Sequence, residues 1–101
     1  MIDEGKQYMV EFDVYYQIDG DFESKIPSQR NAISRLFEQG KLLAYSLSKE
    51  RTKLWGVFLV SSESELVQVI DSLPLTPYMD YDYSELLFHN GLSLSPSMSL
   101  N

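Results

Sequence analysis

Between Gln7 and Tyr16, apolar and polar residues alternate. Tyr8, Val10, Phe12, Val14 and Tyr16 fall on one side, and Gln7, Met9, Glu11, Asp13 and Tyr15 on the other. A period of two predicts a strand, here with one strongly apolar face and one mixed face. Asp19-Gly20-Asp21 reads as a turn. From Phe22 to Gln39 the period lengthens. Ile33, Leu36 and Phe37 recur at three- and four-residue spacing, with Arg30 about one turn earlier on the same stripe, so a helix is expected. Pro27 either sits in its first turn or splits off Phe22–Ile26 as a separate turn, and Gly40 suits the position just past its end. Lys41 to Glu50 returns to alternation, Leu43, Tyr45 and Leu47 against Leu42, Ala44, Ser46 and Ser48. The polar run Lys49–Lys53 predicts a hairpin connection. Leu54 to Val60 is apolar on both sides, as in a central strand covered on both faces. Gly56 within it points to a bulge or a close approach.

Ser62 followed by Glu65 is a capping box, and Leu66, Val67, Val69, Ile70 and Leu73 form the apolar stripe of a second helix ending at Pro74. Pro77 is expected to hold Thr76 extended. From Tyr78 to Phe88 a last strand sets Met79, Tyr81 and Tyr83 against Asp80, Asp82 and Ser84. The element order is therefore β-α-β-β-α-β, the ferredoxin-like α+β arrangement. Right-handed crossovers put both helices on one face of a four-stranded antiparallel sheet. The other face carries many apolar side chains of its own. Monomers rarely expose such a patch, so a second copy is expected to cover it, making a dimeric α+β barrel. The domain spans residues 7–90, after a flexible lead-in over 1–6. The Ser-rich tail, 91–101, is expected to be disordered or packed on a neighbouring chain.

Composition narrows the function classes. At 101 residues the chain is a single domain, and 44% hydrophobic with 23% charged residues is ordinary for a globular protein. A net charge of −7 repels phosphate backbones and anionic lipid, so neither nucleic acid nor membrane is an expected partner. The absence of cysteine removes disulfides, thiol catalysis and cysteine metal sites. It also fits a reducing compartment. With no signal-peptide pattern at the N-terminus, a cytoplasmic location is expected.

The stretch Leu73-Pro74-Leu75-Thr76-Pro77-Tyr78-Met79-Asp80 carries a resemblance. In this structural context it is similar to the LPL-x-PYMD segment of the muconolactone delta-isomerase family. The first-strand pattern, Gly40 after the first helix, Val57-Phe58 and Val60 in the third strand, and His89 after the last strand extend it more weakly. The resemblance implies a homodimer, often assembled into decamers, and a cofactor-free isomerisation of a small unsaturated lactone in aromatic catabolism. Such a reaction needs an acid/base near neutral pKa and cations for the substrate carboxylate. The family's candidate base is a glutamate on the first helix, and counting back from Gly40 that position is Gln29 here. The family's basic and histidine positions on the first strand are Met9, Glu11 and Tyr15, and a second-strand histidine is Ala44.

The candidate residues follow from both readings. His89, the single histidine, and Gln29 are the catalytic candidates. Arg30 is placed to pair with a substrate carboxylate, or is an exposed arginine with a buried stem. Tyr16, Tyr45 and Trp55, with Tyr8 and Phe12, either line an aromatic pocket between sheet and helices or belong to core and interface. Tyr78 joins the binding set through the motif, or packs the turn. One histidine and scattered carboxylates make no metal site, and no cofactor is expected. The expected function is a small-molecule isomerase or binding protein for a small anionic or aromatic-derived ligand. The alternative is a non-catalytic structural or regulatory homo-oligomer.

Overall fold

The computed structural model describes residues 5–15 and 20–87. In chain order the elements are β1 (Lys6–Val14), α1 (Gly20–Ser24), α2 (Ile26–Glu38), β2 (Leu42–Leu47), β3 (Lys53–Val60), α3 (Glu63–Asp71), a 3-10 turn (Thr76–Tyr78) and β4 (Met79–Leu86). The strands form one antiparallel sheet in the order β2-β3-β1-β4. That is the ferredoxin-like arrangement, and one apolar cluster joins residues of α2 and α3 to the same sheet face. Among the described residues no helix is long and apolar enough to cross a membrane.

The local chemistry explains most boundaries. Pro27 sits in the first turn of α2, where its missing N–H is no loss, and the preceding turn is a separate short helix. Gly20 and Asp21 open that short helix rather than a turn. Gly40 at φ +75° ends α2. Its N–H donates to Phe37 O (3.1 Å), and Lys41 N–H donates to Leu36 O (2.9 Å), the paired bonds of a Schellman motif. Ser62 caps α3 by accepting from Glu65 N–H at 3.1 Å. Glu65 reaches back one residue further than a strict capping box, accepting from Ser61 N–H (2.8 Å) and Ser61 hydroxyl (2.7 Å). Helix α3 stops at Asp71, three residues before Pro74. The expectation for Thr76 is corrected. It lies in the 3-10 turn, held by Thr76 N–H to Leu73 O and by its hydroxyl to Ile70 O, and these bonds outweigh the extended preference of a residue before proline.

On the helix side the core contains Tyr8, Val10, Phe12, Phe58, Leu66 and Ile70, all buried. Two details depart from the apolar pattern. Phe37 is 44% exposed, and the buried stripe of α2 is Gln29, Ile33 and Leu36, about an eighth of a turn from the expected phase. Strand β2 also bulges. Leu42 pairs with Phe58 while Ala44 pairs with Val57, so Leu43 is an extra residue. The bulge puts Leu42 (1% exposed) and Tyr45 on the helix face and leaves Leu43 41% exposed, the reverse of simple alternation. Tyr45 stands opposite Gly56. A Cβ on Gly56 would lie 2.9 Å from the Phe58 ring, so the close approach there is to a side chain.

The opposite face is divided. At one end Met9, Val57, Leu59 and Trp55 cluster by register, with Val57 2% exposed and Met9 37%. At the other end Glu11 faces Asp82 and Asp13 faces Asp80 across β1 and β4. Directly opposed like charges cost stability, and Lys53 offsets part of this by bridging Glu11 (2.8 Å) and Asp13 (2.5 Å). Those carboxylates hold the Lys53 ammonium well above its ordinary pKa.

Candidate functional site

A pocket of about 600 Å³ opens between α2, the start of β3 and the β2–β3 hairpin. Phe22 from α1, Ile26 and Ile33 from α2, Val14 from β1, Leu54 from β3 and Leu75 from the proline-rich turn make its apolar walls. The volume and the lining are those of a small-molecule site. Tyr78 lies behind one wall. Its ring meets Phe22 edge-on at 5.1 Å and carries Lys25 Nζ 5.4 Å above its centre, a cation–π contact.

Five polar residues line this space: Gln29, Arg30 and Ser34 from α2, Tyr45 from β2 and Arg51 from the hairpin. Adjacent residues on a helix point about 100° apart, so Gln29 turns into the core while Arg30 stays exposed at the mouth. Gln29 is 6% exposed. Its Oε1 accepts from Leu75 N–H at 3.0 Å, which also fixes which end of the amide is oxygen. The other end, Nε2, is buried and without a hydrogen-bond partner among the described residues. Tyr45 reaches the same region only because of the β2 bulge. Burial pushes its phenol pKa up, and the neighbouring Gln29 side chain pulls it part of the way back.

Arg51 has φ +68°, a left-handed conformation uncommon for a residue with a side chain. The hairpin enforces it. Arg51 N–H donates to Ser48 O (2.9 Å), while the Ser48 hydroxyl accepts from Thr52 N–H (3.2 Å) and Lys53 N–H (3.1 Å). Arg30 and Arg51 form no ion pair among the described residues. Two guanidiniums without an ion-pair partner among the described residues therefore stand at a largely apolar pocket in a chain of net charge −7.

The structure thus brings Gln29, Arg30 and Tyr45 to one pocket and backs it with Tyr78. Trp55 does not belong there. It pairs with Glu11 and Ser46 on the opposite sheet face, because odd and even positions of β3 point to opposite sides. Tyr8 and Phe12 are core residues on the helix face. Tyr16 and His89 lie outside the described residues. Nothing in the sequence singles out Arg51. A charged hairpin reads as solvent, and its only signal is proximity in space.

A four-stranded antiparallel sheet with helices on one face and a polar-tipped pocket beneath α2 defines a ferredoxin-like protein of the α+β class. The muconolactone delta-isomerase family model matches residues 7–91, and the chain belongs to that family. A crystal structure of muconolactone isomerase shares the fold with a TM-score of 0.72 and 23% identity, over 88% of this chain and 96% of that one. A dimeric ferredoxin-like protein from an uncultured marine organism matches at a TM-score of 0.44 and 17% identity, over 92% of this chain and 96% of that one. No curated protein matches the chain.

Proposed function

We propose that the pocket takes a small, largely apolar carboxylate, with Arg30 and Arg51 holding the acid group at the mouth. The observation that carries this reading is the pair of guanidiniums, free of ion pairs among the described residues, on a largely apolar cavity of about 600 Å³ in an acidic protein. Charge-assisted, bidentate pairing is what arginine offers a carboxylate. Family membership supports isomerisation of a small unsaturated acid or lactone as the reaction, with no cofactor.

In an isomerisation a proton leaves one carbon and arrives at another. Among the described lining residues the titratable groups are Tyr45, its pKa raised, and the two arginines. None exchanges a proton readily near pH 7. In this reading the proton transfer is assigned to His89, the single histidine of the sequence, while the Tyr45 hydroxyl and the Gln29 carboxamide donate hydrogen bonds to the substrate. Incubation with muconolactone, followed by NMR for migration of the double bond, tests this. Loss of turnover in His89→Ala with retained binding supports it. Binding without turnover in the unaltered protein selects the non-catalytic reading, which the carboxamide at Gln29 favours.

The protein works in this reading as a homo-oligomer, at least a dimer and as large as a decamer, through the sheet face that carries Met9, Leu43 and Trp55. Exposed Met9 and Leu43 beside buried Val57 support that surface. A light-scattering mass of one chain at micromolar concentration would remove it.

A further inference from the structure

We propose that the Gln29 carboxamide reads an uncharged carbonyl oxygen at the inner end of the ligand, so that the site selects molecules with a neutral acceptor opposite their acid group. The inference rests on the pocket being an anion site, as above, and adds what its deep end recognises.

Gln29 is almost wholly buried, yet among the described residues its Nε2 meets no acceptor at hydrogen-bond geometry, with the Tyr45 hydroxyl as its polar neighbour. Oε1 is committed to Leu75 N–H, so the side chain cannot turn over to satisfy Nε2 without abandoning that backbone donor. A buried donor left without an acceptor is destabilising, and such groups are rare in folded proteins. A leucine or methionine would remove this unpaired donor but would leave Leu75 N–H without its acceptor, so the carboxamide serves the backbone with Oε1 and faces the cavity with Nε2. The position presents N–H groups beside the Tyr45 hydroxyl in a cavity that is largely apolar.

Both groups are uncharged at neutral pH, and both donate. A carboxylate at this depth would lose its hydration with no cation to compensate it, so the acid group belongs at Arg30 and Arg51. A neutral carbonyl loses little on entering and gains the amide donor. The pocket therefore has polarity along its length: cationic at the exposed mouth, apolar along the walls, neutral donors at the buried end. A site built to hydrogen-bond one group rejects analogues that lack it, because its own donor is then left unpaired.

The test uses three benzene derivatives of similar size. 4-Acetylbenzoate carries both groups, 4-isopropylbenzoate lacks the carbonyl, and 4-methylacetophenone lacks the acid. Calorimetric titration of the full chain is expected to show 4-acetylbenzoate binding about ten-fold more tightly than 4-isopropylbenzoate. The Gln29 side-chain amide signal in nitrogen-edited NMR should shift with the first and not the second. Gln29→Met should erase the preference. Gln29→Glu at pH 8 keeps an acceptor for Leu75 N–H but loses the donor, and should erase it too. That second variant serves if the first fails to fold. Equal binding of the two acids by the unaltered protein overturns the Gln29 inference and leaves the anion site standing. No binding of either acid, or binding of 4-methylacetophenone as tight as 4-acetylbenzoate, overturns the anion site and the inference with it. A preference that survives both variants overturns the role given to Gln29.

Discussion

Helices α2 and α3 lie on the same sheet face and do opposite things there. Helix α3 seals its half. Leu66 and Ile70 are completely buried, Val69 and Leu73 nearly so, and its N-terminus is tied down by Ser61, Ser62 and Glu65. Helix α2 covers its half incompletely. It spends one inward position on Gln29, leaves Phe37 outside, and stands over a pocket rather than a filled core. A thin domain of this size cannot leave both halves open, because its stability comes from a small excess of buried apolar area over chain entropy. Packing is concentrated under α3, and the chemistry is placed under α2.

The largest test of this contrast is paired truncation. Ile70→Ala empties a fully enclosed site and should cost about 3–4 kcal/mol in chemical denaturation. Ile33→Ala merely widens an existing cavity and should cost about 1–2 kcal/mol. Equal losses would show that α2 seals its half as tightly as α3. Next, Arg30→Ala and Arg51→Ala should each weaken binding of 4-acetylbenzoate about ten-fold, or ~1.4 kcal/mol, by calorimetry. Stability should hold within about 0.5 kcal/mol, as for other exposed positions. Arg51→Gly separates two effects, since it relieves the left-handed backbone while removing the side chain. It should match Arg51→Ala in binding and exceed it in melting temperature. Ser62→Ala should cost about 1 kcal/mol of stability by removing the α3 cap, without touching ligand affinity.

The smallest effects are those of pH, and they also belong to the α3 side. The Tyr83 hydroxyl donates to Glu63 Oε2 at 2.5 Å, and this bond pushes the phenol pKa from 10.0 up to about 12. A raised folded-state value means the stabilisation is complete below pH 10 and is lost as pH rises from there towards 12. A Tyr83→Phe variant should lack this alkaline loss in denaturation curves. For Glu65 the sign reverses. The Ser61 backbone N–H, then the Ser61 hydroxyl, hold its carboxyl below the ordinary 4.5, so its contribution is present above that pH and disappears as pH falls through the folded value.

The strands, both main helices and their order were legible in the chain, because burial on one side of a strand or helix imposes a period that hydrophobicity reports directly. Gly40, Pro27 and the Ser62 cap were legible for a different reason, since each acts on its own few residues of backbone. The errors lie where periodicity misleads. Leu43 and Tyr45 were set on one face because nothing in Leu42-Leu43-Ala44 announces an extra residue, and only pairing with β3 creates the bulge. Trp55 groups with the aromatic candidates in the sequence, but the parity of β3 puts it on the other sheet face. Gln29 had no apolar signature, so its burial could not be inferred from pattern, and Arg30 was credited with the inward position one residue away.

By itself the sequence determined the ferredoxin-like order of elements and, through the Leu73–Asp80 segment, the family. Periodicity and turn chemistry are local properties, written within a few residues of where they act. Tertiary structure alone decided that Gln29, Arg30, Tyr45 and Arg51, drawn from a helix, a strand and a hairpin, share one cavity. That grouping depends on a one-residue bulge and on the phase of one helix, quantities set by packing between elements far apart in the chain.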